Sequence, residues 1–355
     1  MCYNYFKKLA IIFIFCISVL NGNAQTPKNI IFMIGDGMGL AQIYAAMTAN
    51  GGHLNIEQCP YTGFSKTYSG NNYITDSAAG GTALACGVKT KNYMIGMSPD
   101  TVAVPSVLAL AAEKKKSTGV VVVCSVTHAT PASFVAHQDN RNKEEEIALD
   151  YLKTPVDVFI GGGLKFFQNR SDNRNLVKEL KEKGYTVAVN MDEVKKVKSG
   201  KLAGLVADEH PGGVKERKNM LAEASLAAIN LLNQNKNGFF LMIEGSQIDW
   251  AGHDNSSSHV ISETLDFDET IGAVLDFAKK DGNTLVVITA DHETGGLTVM
   301  NGDFKKEDVE LKFNSTNHTG IMVPVYSFGP GAEKFSGIQE NIEIPYKIKK
   351  MWGVK

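Results

Sequence analysis

Six short runs of the chain are almost continuously apolar: residues 30–34, 120–126, 156–160, 239–243, 284–289 and 323–328. They are rich in Val, Ile and Phe and lack the polar alternation of a half-exposed sheet. Such runs are expected of strands covered on both faces. Between them, residues 105–115, 173–183, 215–232 and 262–279 read as helices, the last two with apolar positions at helical spacing. The alternation predicts an α/β fold: a mostly parallel central sheet flanked by helices on both faces. No internal repeat, low-complexity linker or Pro-rich hinge divides residues 25–355, which read as a single domain. The polar stretch 190–213 is the best candidate for an insertion or lid, not for a domain boundary.

The N-terminus follows a different rule. Lys7 and Lys8 precede a 12-residue apolar run, 9–20, too short to span a bilayer as a helix. Gly22, Asn23 and Ala24 supply the small residues of a cleavage site, so residues 1–24 read as a secretory signal peptide cut after Ala24. Bulky Phe15 before Cys16 disfavours a lipoprotein signal. The expected location is periplasmic or secreted. No other stretch approaches 18 apolar residues, so no membrane association is expected of the mature chain. Cleavage leaves Cys59, Cys86 and Cys124, an odd number without a Cys-x-x-Cys pair. At least one is then a free thiol or pairs between chains, and a zinc ribbon or thioredoxin-type site is unsupported. Hydrophobic residues at 43% and charged residues at 21% are globular proportions. With 36 Lys+Arg against 38 Asp+Glu there is no basic excess to meet a nucleic-acid backbone.

The chemistry gathers where apolar runs end. Residues 30–34 lead into Gly35-Asp36-Gly37, and 120–126 into Thr127-His128-Ala129-Thr130. Residues 239–243 lead into Glu244, Asp249 and His253, and 284–289 into Ala290-Asp291-His292-Glu293. Ligands of open α/β sheets bind beyond the carboxyl ends of the strands. One polar strand end is ordinary turn chemistry; four together point to a shared polar site. His and Asp without Cys suit zinc, with magnesium where the donors are all oxygen. Asp249 and His253, four apart, share a face if their segment is helical. His318 lies in the polar loop Thr316-Asn317-His318-Thr319-Gly320, where a lone His is ordinarily just exposed.

Ser77 opens a small-residue run, Ser77-Ala78-Ala79-Gly80-Gly81-Thr82. At a helix N-terminus it would face free N–H groups that favour anions. A plain N-cap is the competing reading. Thr75 stands where a hydrolase elbow needs its first Gly, and Gly35, Gly37 and Gly39 do not form a dinucleotide-binding Gly-x-Gly-x-x-Gly.

Four motifs together resemble the alkaline phosphatase family: Ile34-Gly35-Asp36-Gly37-Met38-Gly39, Thr75-Asp76-Ser77-Ala78-Ala79, Thr289-Ala290-Asp291-His292-Glu293 and His318-Thr319-Gly320. Their order and spacing match from about Lys28 to the C-terminus. The resemblance implies one catalytic domain over 25–355 that hydrolyses phosphate monoesters through a phosphoserine, with two zinc ions and a third metal, usually magnesium. It implies Ser77 as nucleophile; Asp249, His253 and His318 as ligands of the first zinc; and Asp36, Asp291 and His292, joined by Ser77 Oγ, at the second. It implies Asp36, Thr130 and Glu244 at the third site, and Arg141 as the residue gripping substrate phosphate. Homodimers are common in the family.

Two positions depart from the best-known bacterial pattern. His128 stands where that pattern has Asp, and Trp250 where it has Lys. An imidazole beside the third site would let it accept zinc, and loss of a cation at Trp250 would weaken bound product. Two alternatives compete. A sulfatase or diesterase of the same superfamily would need its own motif or lack Arg141 and the third-site set. A non-catalytic phosphate- or metal-binding protein would lack a nucleophile or ligand, and none is missing.

Overall fold

The structure, a computed structural model, describes residues 26–354, so the expected signal peptide lies outside the described residues. In chain order its strands are β1 (Asn29–Gly35), β2 (Tyr61–Lys66), β3 (Ser117–Ser125), β4 (Val158–Gly162), β5 (Tyr185–Ala188), β6 (Lys201–Leu205) and β7 (Phe239–Gly245). They continue with β8 (Thr284–Thr289), β9 (Glu293–Thr294), β10 (Thr298–Asp303), β11 (Asp308–Lys312), β12 (His318–Thr319), β13 (Val323–Phe328) and β14 (Gly337–Glu340). Ten of them form one sheet in the order β14-β2-β13-β8-β1-β7-β3-β4-β6-β5. All neighbours are parallel except β13, which runs antiparallel to β8 and β2.

Every residue of β1, β7 and β8 is buried. The pleat sends alternate side chains to opposite faces. Ile30, Phe32, Ile34, Met242 and Val287 join one apolar cluster, whereas Ile31, Met33, Ile243 and Ile288 join another. The first cluster is closed by helices α1 (Ser77–Cys86) and α2 (Ala129–Val135), the second by α3 (Met220–Leu232) and α5 (Ser257–Asp281). Between them in sequence order lies α4 (Gln247–His253), which leaves the carboxyl end of β7. Cover on both faces is why these strands read as unbroken apolar runs.

Three features differ from the sequence expectation. The expected helix 215–232 is two helices, Val214–Arg217 and α3, parted where Lys218 takes a left-handed φ of 52°. The stretch 190–213 contributes to the sheet itself through β6, whose Leu202, Ala203 and Leu205 are fully buried between flanking polar residues. Only its last part, 206–213, is a loop over the carboxyl ends of the strands. Gln247 Nε2 fastens that loop by donating to Pro211 O at 2.9 Å and Val123 O at 2.8 Å. Finally, β10 and β11 form a separate hairpin outside the large sheet. Cys59, Cys86 and Cys124 are all free and buried.

Candidate active site

The carboxyl ends of β1, β3, β7 and β8 meet at the middle of the sheet, with β1 between β7 and β8. Asp36 follows β1, Glu244 is the penultimate residue of β7, and Asp291 and His292 follow β8. All four are buried. The α4 segment is helical, so Asp249 and His253 do share a face. His318 reaches them because β12 pairs with β9, placing His318 opposite Thr294. The polar loop of the sequence is therefore held against the site rather than left in solvent.

Asp249, His253 and His318 form a triangle. Asp249 Oδ1 is 3.4 Å from each imidazole Nε2, and the two Nε2 atoms are 3.1 Å apart. In the second group, His292 Nε2 is 3.3 Å from Ser77 Oγ, 3.2 Å from Asp291 Oδ2 and 3.5 Å from Asp36 Oδ1. Ligands held tetrahedrally at 2.0–2.1 Å from zinc are about 3.3–3.4 Å apart. The separations in the two groups, 3.1–3.5 Å, bracket that edge length. Asp36 Oδ1, Asp291 Oδ2 and Glu244 Oε1 are buried without a hydrogen-bond partner, as ligand oxygens waiting for a cation would be. Beside them, Thr130 Oγ1 donates to Asp36 Oδ2 at 3.4 Å. Cys124, His128 and Glu244 bring ligand atoms within 4.8 Å of one another on the same side.

The imidazoles are oriented from behind. His253 Nδ1 lies 2.6 Å from Thr316 O and His318 Nδ1 lies 2.9 Å from Thr75 O. A carbonyl only accepts, so each Nδ1 carries a proton and each ring turns its Nε2 inward. Two lone pairs 3.1 Å apart repel unless a proton or a cation lies between them.

Ser77 is the first residue of α1, and Asp76, not Ser77, is its N-cap, accepting from Ala79 N at 2.9 Å. The small residues let the helix close in. A Cβ on Gly80 would meet Asp291 Cβ at 3.1 Å, and one on Gly81 would meet Ser133 Oγ at 2.9 Å. Asp76 Oδ2 also accepts from Tyr93 N at 3.0 Å and pairs with Arg141 Nη1 at 3.4 Å. Arg141 Nη2 donates to His128 Nε2 at 3.2 Å. The charged run around Arg141 thus conceals a guanidinium tied to His128 and to Asp76, the residue before Ser77. Trp250 packs edge-on against His128 at 6.0 Å and His210 at 4.8 Å.

The alkaline phosphatase family model matches residues 27–307. The chain belongs to the alkaline phosphatase family. It is 38% identical to alkaline phosphatase 4 of Bacillus subtilis (strain 168), covering 91% of this chain and 89% of that protein. Identity to the alkaline phosphatase of Escherichia coli (strain K12) is 30%, over 93% and 87% of the two chains. The solved alkaline phosphatase of the Antarctic bacterium TAB5 superposes with a TM-score of 0.88 at 42% identity, covering 93% of this chain and 99% of that one. The sequence resemblance is borne out, and with it the enzyme class: the chain is a phosphoric monoester hydrolase of α/β fold.

Electrostatics in this phosphatase favour cations. Burial, then Asp291, Asp249 and Glu244, raise the Asp36 carboxyl well above the usual range. Burial pushes Glu244 up to about 8. Burial works to raise Asp249 too, yet hydrogen bonds from His253 and His318 hold it well below the ordinary value. The bond to Asp249 lifts His253 to about 9. Burial, Arg141 and His210 push His128 down to about 3, so it is neutral.

Three neighbours escaped the sequence reading. Thr294 touches both ligand groups, Asp76 steers Arg141, and His210 accepts from Ser125 N at 2.9 Å through Nδ1. Asp76 was visible as the polar residue before Ser77. His210, one of eight His, had no strand end to mark it. Nothing in the sequence marks Thr294.

Proposed function

We propose that Ser77 is the nucleophile of a double displacement on phosphate monoesters. The carrying observation is Ser77 Oγ at the buried start of α1, 3.3 Å from His292 Nε2 and beside Asp36 and Asp291. Asp249, His253 and His318 would hold one zinc ion, and Asp36, Asp291, His292 and Ser77 a second. Asp36, Thr130 and Glu244 would hold a third ion, magnesium or, with His128 and Cys124 alongside, zinc. When bound, such ions lower the pKa of a hydroxyl and neutralise charge developing on the attacking and leaving oxygens. Support for metal dependence comes from two histidine variants of the TAB5 enzyme, which hold magnesium in a site termed M3.

The chain's own groups then act in order. Arg141 grips two phosphate oxygens with its planar fork, which Asp76 and His128 hold in place. Ser77 Oγ attacks phosphorus in line, forming the Ser–O–P bond as the bond to the leaving alcohol breaks. Water then attacks phosphorus in line from the side the alcohol left, the Ser–O–P bond breaks as a proton returns to Ser77 Oγ, and phosphate leaves with net retention at phosphorus. Residues 1–24 would direct export to a periplasm or the medium. Among the described residues, no helix is long and apolar enough to cross a membrane.

The test is hydrolysis of a monoester and a matched diester, before and after chelation, with zinc and magnesium restored separately. Monoester preference restored by zinc is the expected result. Ser77→Ala should abolish phosphoenzyme while phosphate still binds. Unchanged turnover in that variant would remove Ser77 from the role.

A further inference from the structure

Thr294 stands between the two ligand groups and belongs to neither. Its side chain is fully buried in β9. Oγ1 donates to Asp249 Oδ1 at 2.5 Å and lies 3.3 Å from His292 Nδ1. A hydroxyl has one proton and two lone pairs. A carboxylate accepts only, so the hydroxyl proton goes to Asp249. The remaining contact requires His292 Nδ1–H to donate to Oγ1. The chain of bonds therefore has one direction: His292 Nδ1–H to Thr294 Oγ1, then Thr294 Oγ1–H to Asp249 Oδ1. It turns the His292 Nε2 lone pair toward Ser77, Asp36 and Asp291.

The other two imidazoles are oriented by main-chain carbonyls, Thr316 O and Thr75 O. His292 depends on a side-chain hydroxyl, and the same hydroxyl fixes the Asp249 carboxylate. Thr294 cannot drift to relieve either bond. Its N–H donates to Gly37 O at 3.2 Å, its carbonyl accepts from Gln42 Nε2 at 2.8 Å, and it pairs with His318 across β12. Gly252 packs so closely that a Cβ there would meet Thr294 Cβ at 2.9 Å.

We propose that Thr294 is a positioning residue shared by both metal-binding groups, its single hydroxyl setting the His292 tautomer and the Asp249 carboxylate together. The inference rests on the metal-binding reading above. It makes the two groups energetically coupled: removing one hydroxyl weakens both.

The test uses the full-length chain stripped of metal, with zinc added in competition against a chromophoric chelator. Thr294→Val keeps the shape and removes the hydroxyl. Loss of an outer-shell partner costs roughly 10–100-fold in metal affinity, and that loss is expected in both zinc-binding steps. Thr294→Ser should restore both. Thr270→Val, which removes a buried hydroxyl bonded to Asp266 O far along α5, should leave both steps unmoved. Weakening of one step only, or of neither, overturns the proposal. A wild-type chain that binds no zinc overturns the metal-binding reading as well. If Thr294→Val fails to fold, proton NMR of the zinc-loaded wild type decides. A hydrogen-bonded proton on His292 Nδ1 is expected, and coordination through Nδ1 would refute the assignment.

Discussion

The two ligand groups are built from opposite materials. Asp36, Asp291 and His292 sit at the ends of β1 and β8, and none of their side chains is exposed. Asp249, His253 and His318 come from α4 and the short β12, and their side chains are 6%, 37% and 13% exposed. The inner group has two carboxylates and one imidazole, the outer group the reverse. Without a cation the outer group can neutralise itself, because His253 takes a proton and pairs with Asp249. The inner group does so only in part: against burial, Asp291 and His292 hold each other charged, whereas Asp36 is buried facing Asp291, Asp249 and Glu244. The uncompensated charge is thus concentrated at Asp36, at the expense of stability, while in the outer group Asp249 and His253 compensate each other.

The sharpest way to break this contrast is Asp36→Asn. Activity should fall by more than the roughly 100-fold expected for an outer-shell partner, because Asp36 is the residue proposed to serve two metal sites. The metal-stripped variant should nevertheless melt higher than metal-stripped wild type. Burial and like charges raise the Asp36 carboxyl above its unfolded value, so at neutral pH the folded group must either stay charged among carboxylates or take up a proton, a folding cost that Asn avoids. Each kcal/mol would appear as about 1–2 °C in Tm for a chain of this size. A lower melting temperature in the stripped variant would refute the stored-charge account.

Gly37 is the spacer between the groups. Its φ is +73°, and an added Cβ would meet Asp249 Cα at 2.7 Å and Thr294 Oγ1 at 2.8 Å. Gly37→Ala should therefore push Asp249 away from the inner group, and a displacement near 1 Å can cost on the order of 100-fold in rate. The left-handed backbone adds about 1–3 kcal/mol of destabilisation. Steady-state kinetics and thermal melting check both parts. His253→Ala should act more mildly: zinc stoichiometry falls by about one per chain, with the inner group still loaded. Full zinc occupancy with full activity would sink the outer-group assignment.

The inner group was far more legible than the outer one. Buried parallel strands are apolar throughout, so their ends are marked by the first Asp, Glu or His. Asp36, Glu244, Asp291 and His292 all stand at such marks. The strands next to the sheet edges left no such signal: β2 alternates between buried and exposed positions, and β6 opens on Lys201. His318 was readable only through the family motif, because its placement depends on pairing with a two-residue strand. Arg141 was obscured by charged neighbours, and its partner Asp76 is distant in sequence. Thr294 is one of many threonines, and only the fold brings it between Asp249 and His292. Residues whose roles come from one element's local pattern can be read from sequence, whereas residues that join two elements need the structure.

The smallest effect expected is a pH dependence confined to the outer group. In the metal-stripped protein the Asp249 bond lifts His253 from an ordinary value near 6.5 to about 9. A raised histidine contributes stability that is fully present below the unfolded value and lost as pH rises through the folded one. Asp249 is held low, so the pair survives at the acidic end of this window. Metal-stripped wild type should therefore melt above metal-stripped His253→Gln at pH 6, and the gap should close between about pH 6.5 and 9. His253 is over a third exposed, so solvent screening keeps the gap small. In the zinc-loaded protein the same comparison should lose this pH dependence, since the ion displaces the proton from Nε2. A gap that widens with pH in the stripped protein would show that the outer group does not neutralise itself, and the contrast between the two groups would fail.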